Sequence, residues 1–411
     1  MQARENLLVR NRNFRLVWAG QVLSQAGSRA YFINLLWWIV TTSSISGESA
    51  DSATSAAWAS GILLVLMGLP SVLMMKVIGR TLSRYPTKKI LVGFELCGAA
   101  LSLVVFALAA TGRLDLGWTW ALSGLIAICQ SFVDPALVKA VPELVDEADI
   151  EGAVGFESAT QAIAFFSGAA LGAIASGTLG FVFTIGLNAL SYLASALMTL
   201  GASFRVNAQP QSAPEDLAHP DTKAVALPPD VPPLLRAFGL ANLFMFPLFL
   251  ILPLFVSKSL GGSVITLGVL EACFWLGLVA GAASAGLVPV ISGDFLRTSA
   301  ALFFFFGGML ASVALLASQW WVGLVLLAGG ASAGILNVKV VTYFQNAVPE
   351  TLRGNFFARL QAWVTGVQPA SYLLFTFVLT FISPQHGFAA CGVGLVATGA
   401  YCWMRSRKKH P

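Results

Sequence analysis

Charge is what this sequence has least of. Asp, Glu, Lys and Arg together make up 10% of its 411 residues, against about 25% in an average soluble domain. A water-facing surface cannot be assembled from so few charges, so most of the surface has to face lipid. Histidine is scarce too. His219, His386 and His410 fall in a polar stretch, a short loop and the tail, so no histidine-based catalytic site can form inside the apolar segments. Cys97, Cys129, Cys273, Cys391 and Cys402 all lie within apolar runs without metal-type spacing, and read as small hydrophobes. No GxxxxGK[ST] occurs, which argues against direct nucleotide drive. No cleavable leader is expected, because MQARENLLVRNRNFR is polar and basic and the apolar run after it is too long for a signal core. The net charge of +5 is spread over short loops, so no nucleic-acid face is expected. No cofactor or metal is implied either.

What is present is apolar. Hydrophobic residues make up 57% of the chain, mean hydropathy is +0.78, and apolar runs of about 20 residues recur from Phe14 to the end. They predict twelve spans: 14–40, 57–78, 88–111, 116–139, 153–177, 180–203, 234–257, 264–290, 296–317, 319–346, 356–382 and 387–404. Arg4, Arg10, Arg12 and Arg15 stand at the first span. Arg80, Arg84, Lys88 and Lys89 lie between spans two and three, and Arg405, Arg407, Lys408 and Lys409 after the last. The opposite loops hold only Arg113 and Lys258, and TTSSISGESADSATS has no base. By the positive-inside rule both termini are cytoplasmic. The Pro-, Ala- and Asp-rich stretch after Arg205 reads as a cytoplasmic linker. The expected organisation is a six-helix bundle over 1–204, a linker over 205–233 and a second six-helix bundle over 234–411.

AVPE occurs at Ala140–Glu143 and again at Ala347–Glu350, an offset of 347 − 140 = 207 residues. The same offset takes Gly79 to Gly286. Each AVPE falls at the end of the fourth span of its half, where proline is expected to stop the helix. The match points to a duplicated six-helix unit.

Specific stretches resemble a known family. NRNFRLVWAGQVLSQAGS carries Phe14, Arg15, Trp18, Gly20 and Gln21, DPALVKAVPELV carries Asp134, Pro135, Ala136, Pro142, Glu143 and Leu144, and VPETLRGNFF covers Val348 to Gly354. These are similar to the drug/proton antiporter branch of the major facilitator superfamily, which contains macrolide efflux proteins and siderophore exporters. The resemblance covers nearly the whole chain. It implies an all-α polytopic membrane protein of twelve transmembrane helices in two pseudo-symmetric bundles. Two departures stand out. GRTLSRYPTKK has Ser83 where the family's loop carries an acid, and SGAALGAIASG has Ala169 where the antiporter pattern has proline.

An ionisable group inside a bilayer costs about 2.5–3.5 kcal/mol on insertion scales, so each one needs a reason. Arg29 lies 29 − 14 = 15 residues into the first span, about 22 Å along a helix. It is a candidate contact for an anion or carbonyl of a cargo, or an ion-pair partner. Glu271 is a candidate proton carrier or a polar group at a cavity mouth, and Asp134 a gate pair or coupling acid. Lys339 could neutralise an anionic cargo or pair with Asp134. Tyr31, Asn242 and Asn337 complete the expected substrate and proton cavity, with Pro247 and Pro253 bending the seventh span. Gly79, Arg80, Arg84, Glu95, Glu157, Glu143 and Arg353 are expected at the cytoplasmic gate, where Glu95 and Glu157 would pair with Arg80, Arg84 or Lys139. Trp37, Trp38 and the phenylalanines at 303–306 read as lipid-facing. The acidic run ELVDEADIE lacks the geometry of a cation loop and reads as solvated. Gly168 and Gly172 of the fifth span and Gly277 and Gly281 of the eighth form small-residue stripes. The resemblance places these two spans face to face between the bundles.

The expected function is secondary export of a small amphipathic, drug-like molecule by alternating access, with protons as coupling ion. Siderophore export or lipid flipping is the alternative. A polytopic membrane enzyme or sensor is the reading from another class, and it lacks a convergent catalytic set. The resemblance implies a monomer in a bacterial inner membrane.

Overall fold

The computed structural model describes residues 7–45, 50–146, 149–205, 228–291 and 294–407, with side chains except at 44, 45, 50–53, 151, 154, 155, 157–160, 162, 350, 351, 354, 355 and 358. The described residues form helices and no strand. In order these are α1 (Leu7–Arg10), α2 (Arg12–Ile45), α3 (Ala50–Leu73), α4 (Met75–Arg84), α5 (Thr87–Ala110), α6 (Leu116–Leu144), α7 (Ile150–Leu179) and α8 (Phe181–Leu200). Then follow α9 (Val231–Met245), α10 (Leu248–Lys258), α11 (Val264–Ser284), α12 (Phe295–Ser312), α13 (Gln319–Ala347), α14 (Glu350–Val378) and α15 (Pro384–Arg407). All twelve expected spans fall on these helices, and the protein has the twelve-helix architecture. Nine spans among the described residues are both long and apolar enough to cross a bilayer. Helices α2, α7 and α14 are as long, and the Ile163–Leu179 part of α7 is apolar as well.

Local chemistry sets the helix ends. Asp115 accepts from Trp118 N at 2.8 Å to start α6, and Asp294 accepts from Leu296 N at 2.8 Å to start α12. Ser263 and Thr266 form a capping box at α11. Each cap satisfies an otherwise orphaned N–H and contributes about 1 kcal/mol. Gly180, at φ 91°, closes α7 and opens α8 in a conformation that a side chain would strain. Pro247 breaks the seventh span as expected: α9 stops at Met245 and α10 resumes at Leu248. Pro253 runs inside α10 without a break.

The two AVPE copies differ. In the first, Pro142 lies inside α6, which continues to Leu144. In the second, α13 ends at Ala347, Val348 is extended, and Pro349 opens α14. Proline stops the helix only in the second copy, because there it starts a new helix, a position that needs no N–H.

The chain divides into two compact units, Met1–Trp38 with Leu66–Ala213, and Ile39–Val65 with Pro214–Pro411. The expected boundary at the linker is thus joined by a second exchange, since part of the first two spans groups with the C-terminal half. In the first unit α5 packs on α8 and α6, and in the second α12 packs on α15 and α13. Third on sixth and third on fourth recur in each half. That is the spatial counterpart of the sequence offset.

The small-residue stripes pack within units. A Cβ on Gly168 would stand 2.6 Å from Ala26 O, and one on Gly172 2.4 Å from Ala30 Cβ, so both face α2. A Cβ on Gly277 would meet Leu327 O at 2.0 Å and one on Gly281 would meet Ala331 O at 2.0 Å, so both face α13. The reason is rotational: the bare faces of α7 and α11 are turned to helices of their own unit. Between α11 and α13 the closeness is mutual, because Gly330 and Gly334 meet Phe274 O and Leu278 O at 2.1 Å. The run of phenylalanines at 303–306 is also divided. Phe303 and Phe306 are buried, whereas Phe304 and Phe305 are exposed.

Candidate functional site

Two faces of α2 organise the polar interior of the first unit. Gln21, Ser24, Ser28 and Tyr31 recur at helical spacing on one face, and each bonds into the unit. Ser28 Oγ bonds Tyr192 OH of α8 at 2.8 Å, and Tyr31 OH is 3.0 Å from Ser123 Oγ of α6. Tyr31 is thus a buried tie between helices rather than a cavity wall. The other face carries Ala26, Ala30 and Asn34 against α7, where Asn34 Nδ2 donates to Gly172 O at 3.1 Å. Arg29 lies at the edge of this second face. Its guanidinium carbon sits 4.7 Å from the ring centre of Phe32 and 5.5 Å from that of Phe165. A half-buried guanidinium beside ring faces has the planar donor fork that suits an anion or carbonyl.

Glu95 is not at a gate. It is fully buried on α5, and its carboxylate accepts from Gln21 Nε2 at 3.0 Å, Ser24 Oγ at 3.1 Å and Ser195 Oγ at 3.2 Å. Its partners are neutral side chains of α2 and α8, not Arg80, Arg84 or Lys139. Gln21, which is also buried, lines a cavity of about 40 Å³ together with Trp18, Gln25, Leu137, Val141 and Leu144. The sequence signal for this site was the polar stripe 21, 24, 28 and 31. It was missed because depth along a span was weighed and rotation about it was not.

The loop end of the first unit uses its charges locally. Gly79, Arg80 and Arg84 are exposed on α4, and Arg84 leans over the Tyr85 ring at 5.9 Å. Lys139 Nζ donates to Leu82 O at 2.6 Å near the end of α4. Lys88 Nζ donates to Leu200 O and Ala202 O, both at 2.8 Å, at the end of α8. Glu143 accepts from Thr87 Oγ1 at 2.6 Å. In the acidic run, Asp146 pairs with Arg205 at 2.8 Å and Asp149 pairs with Arg10. Ser83, where the family's acid would stand, donates only to Arg80 O of its own helix. The Glu157 side chain lies outside the described residues.

In the second unit Glu271 is buried on α11 with 4% exposure. One turn away Trp275 stacks on Phe249 of α10 at 5.7 Å and 16°, and Phe274 meets both rings edge-on. Asn242 is half-buried and donates to Phe238 O of its own helix at 2.8 Å. Asn337 is exposed on α13, whereas Lys339 and, on α14, Arg353 are half-buried; Asp134 is exposed on α6. A polar cluster that sequence reading missed sits at the start of α12. There Asp294 accepts from Ser406 Oγ of α15, which accepts in turn from Arg297 Nε at 2.9 Å. This half therefore has, beside its Arg297, the acid that loop 79–89 lacks.

The arrangement has relatives among known proteins. The sequence matches the profile of the Major Facilitator Superfamily over residues 17–368. It is 22% identical over 397 residues to macrolide efflux protein A of Streptococcus pyogenes, covering 95% of each chain. Among solved structures it is similar to an auto-inhibited POT family peptide transporter, with a TM-score of 0.74, 12% identity and 97% of both chains covered. It is also similar to a bacterial homologue of the iron transporter ferroportin, with a TM-score of 0.69, 13% identity and 97% and 98% of the chains covered.

Proposed function

The chain belongs to the Major Facilitator Superfamily, a family of multi-pass membrane transporters, and from that premise we propose that it exports small amphipathic molecules in exchange for protons. The observation that carries this reading is α2. A helix that crosses lipid pays for every polar group it carries, yet this one holds Gln21, Ser24 and Ser28 at successive turns and Arg29 beside them. Arg29 is the proposed cargo contact of the first unit. In the second unit, taken by itself, Lys339 and Asn337 are the proposed polar contacts and the stacked Phe249 and Trp275 rings the proposed apolar ones. Export is supported by the full-length match to a protein named for macrolide efflux. Proton drive is supported by two buried carboxyls, Glu95 and Glu271. The cycle is one of alternating access, in a monomer in a bacterial inner membrane with both termini cytoplasmic. The Arg29 guanidinium favours a second cargo class, anionic siderophores or lysophospholipids.

The test is flux in proteoliposomes under an imposed pH gradient. The panel comprises a macrolide, an organic cation, a siderophore and a lysophospholipid. Saturable movement of one class that follows the sign of the gradient is expected. Flux that neither saturates nor responds to the gradient would sink the reading.

A further inference from the structure

We propose that Glu95 is the carboxyl that binds the coupling proton and that Gln21 controls its access to water. The inference deepens the proton-driven reading above and rests on it.

Glu95 stands 95 − 87 = 8 residues into α5, about 12 Å along the helix axis. No ion pair includes it among the described residues. An isolated carboxylate there is costly, and a protonated one far less so. Its shell suits both states. Ser24 Oγ lies 3.1 Å from each carboxylate oxygen and Ser195 Oγ 3.2 Å from one. A hydroxyl can donate to the anion or accept from the acid. A bound sodium ion would need oxygen lone pairs turned toward one centre, yet Gln21 presents its N–H to Glu95.

Gln21 supplies the route. It is the residue that both lines the cavity of about 40 Å³ and bonds Glu95. The space exceeds the roughly 10–15 Å³ that one water needs, but its walls are almost wholly apolar, so it takes up water when Gln21 turns its amide toward it. Its Oε1 is buried and has no hydrogen-bond partner among the described residues. One rotamer change of this side chain would bring Glu95 to the cavity. The proton passes from water to a carboxylate oxygen by this route in one state of the cycle, and a gradient can drive export because the alternate state releases it to the opposite side. The titratable groups facing Glu95 are Asp134 and Cys129 of α6 and Tyr192 of α8, with Cys97 two residues further along α5; α2 offers only neutral Gln21 and Ser24.

Protonation has a mechanical consequence. Hydrogen bonds to a carboxylate are roughly twice as strong as those to a neutral acid. Loss of the proton therefore tightens α2 and α8 onto α5, and α2 carries Arg29. In this way one proton inside the first unit reaches the cargo contact.

Two measurements on full-length protein in liposomes decide the matter. The first is the infrared difference spectrum across a pH titration, which reports a buried carboxylic acid without any transport. A titrating carboxyl component is expected in the wild type that is lost in Glu95→Gln, kept in Glu271→Gln, and shifted in midpoint in Ser195→Ala. The second is flux: Glu95→Gln should lose gradient-driven export by about tenfold or more, keep gradient-free cargo exchange, and regain drive in Glu95→Asp. Should Glu95→Gln misfold, the Ser195→Ala midpoint alone decides. An unchanged band in Glu95→Gln, or an unmoved midpoint in Ser195→Ala, overturns the assignment. So does drive by a sodium gradient with none by pH. If pH-driven flux is absent while the band behaves as expected, proton binding at Glu95 stands and the coupling reading fails.

Discussion

Arg29 shows what kind of cation this position requires. Its guanidinium carbon lies near two rings, Phe32 at 4.7 Å and Phe165 at 5.5 Å. An ammonium has the charge but neither the plane nor the fork of donors. Desolvated cation–ring contacts are worth about 0.5–2 kcal/mol, which corresponds to roughly a 2- to 30-fold change in an equilibrium constant. Arg29→Lys is therefore expected to raise the KM for cargo within that range while the protein still folds, and Arg29→Ala to raise it further. Concentration-dependent export in proteoliposomes measures both. Unchanged KM in Arg29→Ala would remove this residue from the cargo path.

At the scale of elements, the closest approach of backbone to backbone among the described glycines is between α11 and α13. Gly277, Gly281, Gly330 and Gly334 each place a missing Cβ within 2.0–2.1 Å of a backbone oxygen on the other helix. Backbone cannot step aside as a side-chain tip can, so the helices must separate to admit a methyl group. Overpacking of this kind costs about 1–3 kcal/mol. Alanine at any of the four is expected to lower the melting temperature in detergent. Alanine at Gly124 of α6 or Gly308 of α12, where nothing lies within 4 Å, is expected to be neutral or to stabilise by up to about 1 kcal/mol. Equal melting shifts in both groups would refute the packing argument.

These stripes also mark how far the sequence could be read. Spacing every four residues revealed that α7 and α11 have bare faces, and hydropathy located every span to within several residues. Neither reveals which neighbour a bare face meets. The same limit applies to Glu95. Its shell joins Gln21, Ser24 and Ser195, residues 74, 71 and 100 positions away, and only the packing of both α2 and α8 against α5 brings them together. Charge near a span end suggested a gate, because distance along the chain was the available coordinate. Caps and breaks were legible, as at Pro247, since they depend on a few adjacent residues.

For the whole molecule, the duplication is one of topology rather than of conformation. Helix pairs α5 with α8 and α12 with α15 repeat, yet AVPE is helical in one half and a helix junction in the other. The units also do not divide at the linker alone, because Ile39–Val65 groups with Pro214–Pro411. Within that unit Gly61 of α3 meets α14, and a Cβ there would stand 1.8 Å from Thr376 Oγ1. A chain expressed as two pieces, 1–213 and 214–411, is therefore expected to be recovered as one complex, because residues 39–65 complete the unit of the second piece. Gly61→Leu should reduce that recovery severalfold by driving α3 off α14. Gly61→Ala should reduce it less, and adding Thr376→Ala should restore it, since the obstruction is a short side chain and not backbone. Affinity capture of either tagged piece reads the outcome. Full recovery with Gly61→Leu would mean that this stretch of α3 contributes nothing to holding the second unit together.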